Sequence, residues 1–182
     1  MSKPKYLRSL LPIGLALALS STAQAQFAPT GTTSVSVTIG PEAAIQIDTA
    51  TTTITAAAGF SANYTGTTNF TYKIRTTSST GSGTITLKVT TDFSPAGGPS
   101  VATPPTAGDT LAYTCTLSAP GTACSGSQTS STTAATSVST FGAGAKSAIA
   151  GNTGSVAWTL TDDPQYATGT YAATVTFTIS AT

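Results

Sequence analysis

The chain has 182 residues, of which only seven are basic and six acidic, and it contains no histidine. Without histidine, the usual serine and cysteine triads lose their general base, and the few acids mostly flank Pro, Gly or Thr. We therefore expect no enzyme, no catalytic residue, no metal site and no cofactor. So weak a charge also gives no electrostatic reason to bind nucleic acid or anionic lipid.

Residues 1–25 have the three parts of a secretory signal: a basic start, a short apolar stretch and small residues at a cleavage site. These parts are Lys3, Lys5 and Arg8; Leu10 to Leu19; and Ala23-Gln24-Ala25. We expect cleavage before Gln26 and secretion through the periplasm, leaving a net charge of −2 because three of seven basic residues are lost (4 − 6). No later segment approaches the roughly 18 apolar residues of a membrane-spanning helix, so no stable membrane insertion is expected after cleavage.

Residues 26–40 are predicted to form an N-terminal extension to the domain that follows. Within it, Val35, Val37 and Ile39 alternate with small polar residues, which is typical of a strand with one apolar face. Gly40-Pro41 then sets this segment off from the rest of the chain. The alternating segment is either the ordinary first strand of the domain or an extra strand.

Residues 41–182 are predicted to form one domain, in which apolar and polar residues alternate with a period of two and threonine is abundant on the polar phase. The apolar phases are Phe70, Tyr72 and Ile74; Ile85, Leu87 and Val89; Val156, Trp158 and Leu160; and Tyr171, Val175, Phe177 and Ile179. Weaker candidate strands are Ala44 to Asp48, Thr51 to Thr55, Leu111 to Leu117 and Thr136 to Phe141. About eight or nine short strands separated by turns predict an all-β, two-sheet sandwich.

Three of the basic residues, Lys73, Arg75 and Lys88, fall on the outward phase of two consecutive predicted strands. These strands are predicted to be neighbours, so we expect the three side chains to share one face. That face is either a solvated surface that keeps the sheet soluble or a contact between subunits.

Cys115 and Cys124 are the only cysteines. In an oxidising compartment, two cysteines with this separation are expected to form a disulfide, since redox and metal sites favour a CxxC spacing and further ligands. We predict a structural bridge.

The last predicted strand opens with Tyr171, just after a turn. A tyrosine at this place is typical of the tyrosine corner that begins strand F of immunoglobulin-like sandwiches. Only three residues follow Ile179, so a domain in which Tyr171 marks strand F lacks its last strand. We therefore expect an incomplete immunoglobulin-like fold, defined by a core that contains Tyr171, Trp158, Val175, Phe177 and Ile179.

Two other kinds of site remain open at this point. Exposed aromatic residues could stack on sugars, and Tyr64, Tyr113 and Tyr166 are predicted to be freer than the aromatic residues on the apolar phases. Asp162-Asp163-Pro164 is predicted to be a turn, with a calcium site as the alternative. The corresponding alternative function is a monomeric secreted immunoglobulin-like adhesin or carbohydrate-binding domain.

Three segments of the chain resemble fimbrial subunits of the chaperone–usher type, particularly the archaic and alternate branches. They are "TTSVSVTI", "PEAAIQID" and "GTYAATVTFTIS", which are similar to the donor strand, first strand and closing strand of such pilins. The resemblance implies a cell-surface filament, built as a homopolymer with the help of a periplasmic chaperone and an outer-membrane usher. By position, Val35, Val37 and Ile39 would be the donor-strand residues that fill the neighbouring subunit's groove.

Overall fold

A computed structural model describes residues 30–56, 59 and 62–182 of the chain. These residues form ten strands and no helix, and all strand pairs are antiparallel. The strands are β1 (Glu42–Ile47), β2 (Thr55–Ala56), β3 (Tyr64–Arg75), β4 (Gly83–Ser94), β5 (Leu111–Leu117), β6 (Thr122–Ala123), β7 (Gln128–Thr129), β8 (Thr136–Phe141), β9 (Asn152–Leu160) and β10 (Ala172–Ala181). Within the described residues, no helix is long and apolar enough to cross a membrane.

The strands are arranged in two sheets, which confirms the predicted all-β sandwich. The first sheet has the order β1-β3-β9-β5-β7, with β2 pairing with the start of β3. The second has the order β10-β4-β8-β6. One edge of the first sheet is therefore β1, and one edge of the second is β10.

The core lies between the sheets and is filled by the apolar phases of the strands. Its buried members are Phe70, Tyr72, Ile74, Ile85, Leu87, Leu111, Tyr113, Val138, Phe141, Ala145, Val156, Trp158 and Leu160. The Tyr113 and Trp158 rings pack at a centroid distance of 5.6 Å. The Trp158 indole donates to Thr68 Oγ1 at 2.8 Å, so this buried polar group is satisfied inside the core.

The predicted disulfide between Cys115 and Cys124 is present. Cys115 lies on β5 of the first sheet, whereas Cys124 directly follows β6 of the second, where its amide donates to Val138 O. The bridge therefore links the two sheets covalently.

The prediction that Lys73, Arg75 and Lys88 share one face is wrong. Lys73 and Arg75 lie on β3, but Lys88 lies on β4 in the opposite sheet. The connection through residues 76–82 crosses from one sheet to the other, so the outward phases of these consecutive strands point away from each other.

Tyr171 immediately precedes β10, and its hydroxyl donates to Ala167 O, four residues upstream, at 2.7 Å. The expectation that its ring joins the core is wrong, because the ring lies outside the buried core cluster. It lies against Gly98 in the loop after β4, where a Cβ on Gly98 would come within 2.3–2.6 Å of three ring atoms. Tyr171 thus fixes the start of β10 against this loop.

Candidate strand-binding edge

One side of β10 is unpaired among the described residues. On its other side β10 pairs with β4, with Val175 opposite Val89, Phe177 opposite Leu87, and Ile179 opposite Ile85. These pairs point to the same face, because opposite residues of an antiparallel pair project to one side of the sheet. Any difference in burial within a pair therefore reports what covers each strand.

Burial differs sharply between the two strands. Ile85 and Leu87 on β4 are 0% exposed and Val89 is 1% exposed. Their partners on β10 are only half-buried, although they have the same phase and the same apolar character. β4 has a hydrogen-bonded strand on each side, whereas β10, which carries Ile179, Phe177 and Val175, has one on only one side among the described strands.

The edge strand of the first sheet, β1, is likewise less buried than the strand with which it pairs. Ile45 pairs with Tyr72 and Ile47 pairs with Phe70; both aromatic residues are 0% exposed. Ile45 is half-buried, and Ile47 is 38% exposed. The half-buried and exposed apolar residues of both edge strands together define an edge seam: Ala43, Ile45, Ile47, Val175, Phe177 and Ile179.

The two strands that border the edge seam approach each other without pairing. Cα atoms of β1 and β10 come within 8 Å, yet the strands belong to different sheets and share no ladder. Strands that pair lie about 4.7–4.9 Å apart, so a strand paired with both edges would need roughly 9.5 Å between them. The two edges must therefore separate before an added strand can pair with both of them.

Thr33–Ile39, the predicted alternating strand, is not a strand of either sheet: residues 30–41 have no regular secondary structure. Its apolar residues are exposed, Val35 by 92%, Val37 by 81% and Ile39 by 64%. A period of two predicts the face that a strand would present, but a strand also needs a hydrogen-bonding partner, and none of the described strands pairs with this segment. Just beyond it, Gly40 O accepts a hydrogen bond from Arg75 Nε at 2.8 Å.

The aromatic residues do not form an exposed platform in the described part of the chain, where each is buried or half-buried. The prediction that Tyr113 is free is wrong: it is 0% exposed, and its hydroxyl donates to Thr136 Oγ1 at 2.8 Å. A shallow depression of about 190 Å³ beside β5 and β9 is lined mainly by Asn, Thr and Ser. It contains no titratable side chain.

The acidic residues after β9 form a turn, as predicted. The Gln165 amide donates to Asp163 Oδ1 at 2.8 Å. Burial and the neighbouring Asp163 raise the pKa of Asp109, whereas hydrogen bonds from Thr106 and the Gln165 amide lower the pKa of Asp163. Burial beside these carboxylates raises the pKa of Tyr166 to about 12. No group of acidic, cysteine or histidine side chains in residues 30–56, 59 and 62–182 is arranged to hold a metal ion.

No protein-family model, curated protein or solved structure compared with this chain matches it. The function proposed below therefore rests on the geometry of the edge seam and on the pattern of the N-terminal segment.

Proposed function

We propose that this protein is a structural subunit of an extracellular fibre and that it polymerises by strand complementation. In this proposal, Thr33–Ile39 of one copy pairs with the unpaired side of β10 in the next copy. The observation that carries it is a complementary pair of features in one chain: an apolar edge seam that is incompletely covered, and an exposed segment with the matching alternation.

The two partners match in spacing. Alternate residues of a strand are about 6.8 Å apart on the same face. Val35, Val37 and Ile39 therefore have the same spacing as Val175, Phe177 and Ile179. Seven donor residues extend over roughly 24 Å, which is shorter than the ten-residue strand β10.

The local backbone favours complementation between copies over a return of the segment onto its own β1. A two-residue hairpin of the common type II′ needs a positive φ at its first loop residue. Gly40 would occupy that position, and it does not have a positive φ. The following residue, Pro41, also lacks the amide hydrogen that a sheet ladder uses.

Complementation would stabilise both partners. Full burial of Val35, Val37 and Ile39 contributes about 1.5–3 kcal/mol each, and the half-buried side chains of the seam gain further cover. It would also remove the unpaired backbone groups of β10, which otherwise invite non-specific association.

The proposed pathway follows from the start of the sequence. The signal-like residues 1–25 support export, and the resemblance to chaperone–usher subunits implies help from a periplasmic chaperone and an outer-membrane usher. The proposed location is a filament at the cell surface.

Filament formation by the chain beginning at Gln26 tests the proposal. Negative-stain microscopy and size-exclusion chromatography should show polymers for the natural sequence and none for Val37→Asp, because a carboxylate would be forced into an apolar seam. Ser36→Asp is the matched control, since Ser36 has the opposite phase, and it should still polymerise.

Two outcomes would contradict the proposal. A chain that stays monomeric at every concentration would favour the secreted adhesin or carbohydrate-binding alternative. Equal polymerisation of Val37→Asp and the natural sequence would mean that Thr33–Ile39 is not the donor.

A further inference from the structure

Charged side chains are concentrated at opposite ends of the first sheet. Lys73 and Arg75 lie at the end of β3, and the backbone of Lys146 forms an isolated antiparallel β-bridge with that of Arg75. We call these three residues the basic pole. Glu42 lies at the same end and forms an ion pair with Arg75 at 3.1 Å, which leaves a net positive charge there.

Three carboxylates lie at the other end. Asp162 and Asp163 follow β9, whose Leu160 pairs with Tyr64 at the start of β3. Asp109 precedes β5, whose Leu111 also pairs with Leu160. We call Asp109, Asp162 and Asp163 the acidic pole.

The two poles are too far apart to neutralise each other within one copy. They are separated by the length of β3, which has 12 residues and is roughly 37 Å long. Charges are screened over about 8 Å at physiological ionic strength. The charges of each pole therefore act locally at its own end of the sandwich, where Asp109 and Asp162 are half-buried and Asp163 is buried.

The basic pole also has an exposed apolar side chain. Ile149 is 95% exposed in the loop between β8 and β9, three residues after Lys146, which is exposed as well. An exposed apolar group near charged residues is typical of a contact surface with a small apolar centre and a polar rim.

The N-terminal segment joins the sandwich at the basic pole, because Gly40 O is held by Arg75 and Glu42 opens β1 there. In the strand-complementation proposal, the next copy therefore lies beyond this end. Of the two charged ends that the next copy could present, the acidic pole is the complementary one.

We propose that the basic pole of one copy docks on the acidic pole of the next, forming a second, head-to-tail contact along the fibre. This proposal rests on the proposed function for its fibre, but the contact itself needs no strand exchange. A head-to-tail contact uses two different surfaces and so generates an open chain of copies.

Pole docking also determines the direction of the donor strand. β10 runs from Ala172, opposite Ser94, to Ala181, opposite Gly83. Gly83 packs beside Ile74 at the basic pole, so Ala172 lies toward the acidic pole. A donor that enters from a docked acidic pole places Ile39 near Val175 and Val35 near Ile179, antiparallel to β10.

The contact can be measured separately from strand complementation in the full chain from Gln26 carrying Val37→Asp. Sedimentation velocity at low ionic strength should show weak self-association that decreases as salt is added. Adding Lys146→Glu should weaken the association by about tenfold or more, and so should adding Asp162→Lys. Combining both substitutions in one chain should restore it, because the introduced carboxylate of one copy would meet the introduced ammonium group of the next.

Two further variants make the result decisive. Lys88→Glu changes the net charge by the same amount as Lys146→Glu but lies on β4, at neither pole, and should leave association unchanged. Gln165→Lys, at an exposed position beside the acidic pole, tests the same surface if Asp162→Lys does not fold.

The outcomes separate the two proposals. Absence of salt-dependent association in the Val37→Asp chain, or equal effects of Lys146→Glu and Lys88→Glu, would overturn pole docking whether or not the natural chain forms filaments. Salt-dependent association that the double variant restores would support it even if strand complementation failed.

Discussion

Gly98→Ala should destabilise the protein by displacing the ring of Tyr171. The added Cβ would lie 2.3–2.6 Å from three ring atoms, about 1 Å closer than carbon atoms normally pack. Gly98 does not have a positive φ, so the substitution adds no backbone strain of its own. The ring must therefore move, and its hydroxyl must leave Ala167 O, 2.7 Å away.

The expected cost is the sum of two parts. Overpacking costs about 1–3 kcal/mol, and loss of the hydroxyl hydrogen bond costs about 0.5–1.5 kcal/mol. We expect roughly 2–4 kcal/mol in total, or a decrease in Tm of about 5–15 °C for a domain of this size. The change should also loosen the start of β10, the proposed acceptor strand.

A double-mutant cycle in urea unfolding tests this reasoning. Tyr171→Ala removes the ring, so adding Gly98→Ala to it should cost at least ~1 kcal/mol less than in the natural chain. Tyr171→Phe should cost about 1 kcal/mol, because the ring stays while the hydrogen bond is lost. Free-energy changes that add to within about 0.5 kcal/mol would refute the contact between Gly98 and Tyr171.

Three further substitutions test other parts of the structure. Burial alone would raise the pKa of Asp92, but hydrogen bonds from one hydroxyl and three backbone amides lower it overall; Asp92→Asn should therefore cost about 1–3 kcal/mol at neutral pH. The folded pKa of Asp92 lies below the unfolded value of 3.8, so this stabilisation is present above pH 3.8 and is lost as the pH falls through the folded pKa. Urea unfolding at several pH values would show this loss. Replacing Cys115 and Cys124 by Ser should lower the free energy of unfolding by about 2.7 kcal/mol, because the unfolded chain gains loop entropy. The comparison is with the natural chain under oxidising conditions, and a negligible change would contradict a stabilising bridge. Tyr166 has a folded pKa of about 12, above the unfolded value of 10.0, so its contribution to stability is present below pH 10.0 and is lost as the pH rises toward 12. Tyr166→Phe should therefore remove a late step from the alkaline absorbance titration. If the late step is unchanged, it belongs to a different tyrosine.

The sequence predicted the strands well where one phase was apolar and the other rich in threonine. The pattern identified the core faces of β3, β4 and β9, and the weaker candidates at Leu111–Leu117 and Thr136–Phe141 match β5 and β8. Such strands are predictable because each alternate residue meets a different environment, the core or the solvent.

Tyr113 shows a signal that was present but missed. It has the same phase as Leu111 on β5, and this phase points to the core. The alternation of that strand is weaker because Ala112 and Thr114 are small, so the pattern does not clearly indicate that Tyr113 is buried.

Relations between strands were not predictable from the pattern. Nothing local in residues 76–82 indicates that the chain changes sheets there, so the pattern does not reveal that Lys73 and Lys88 lie in different sheets. The two poles depend in the same way on the β3–β9 register, which brings Asp162 to the start of β3 and Lys146 to its end.

The N-terminal segment is the clearest case of a pattern without a partner. Alternation at Val35, Val37 and Ile39 indicates which face would be buried, but it does not identify the strand that would bury it. The structure identifies a candidate partner, because only the comparison of β10 with β4 reveals that the last strand is incompletely covered.

Binding of a Thr33–Ile39 peptide to a chain that begins at Gly40 tests strand complementation most directly. The truncated chain keeps the edge seam and lacks its own donor. At about 100 times the Kd, the peptide should stabilise the chain by about 2.7 kcal/mol in thermal unfolding, and the Val37→Asp peptide should not. A truncated chain that is a stable monomer, with the same Tm in the presence and absence of the natural peptide, would contradict the account.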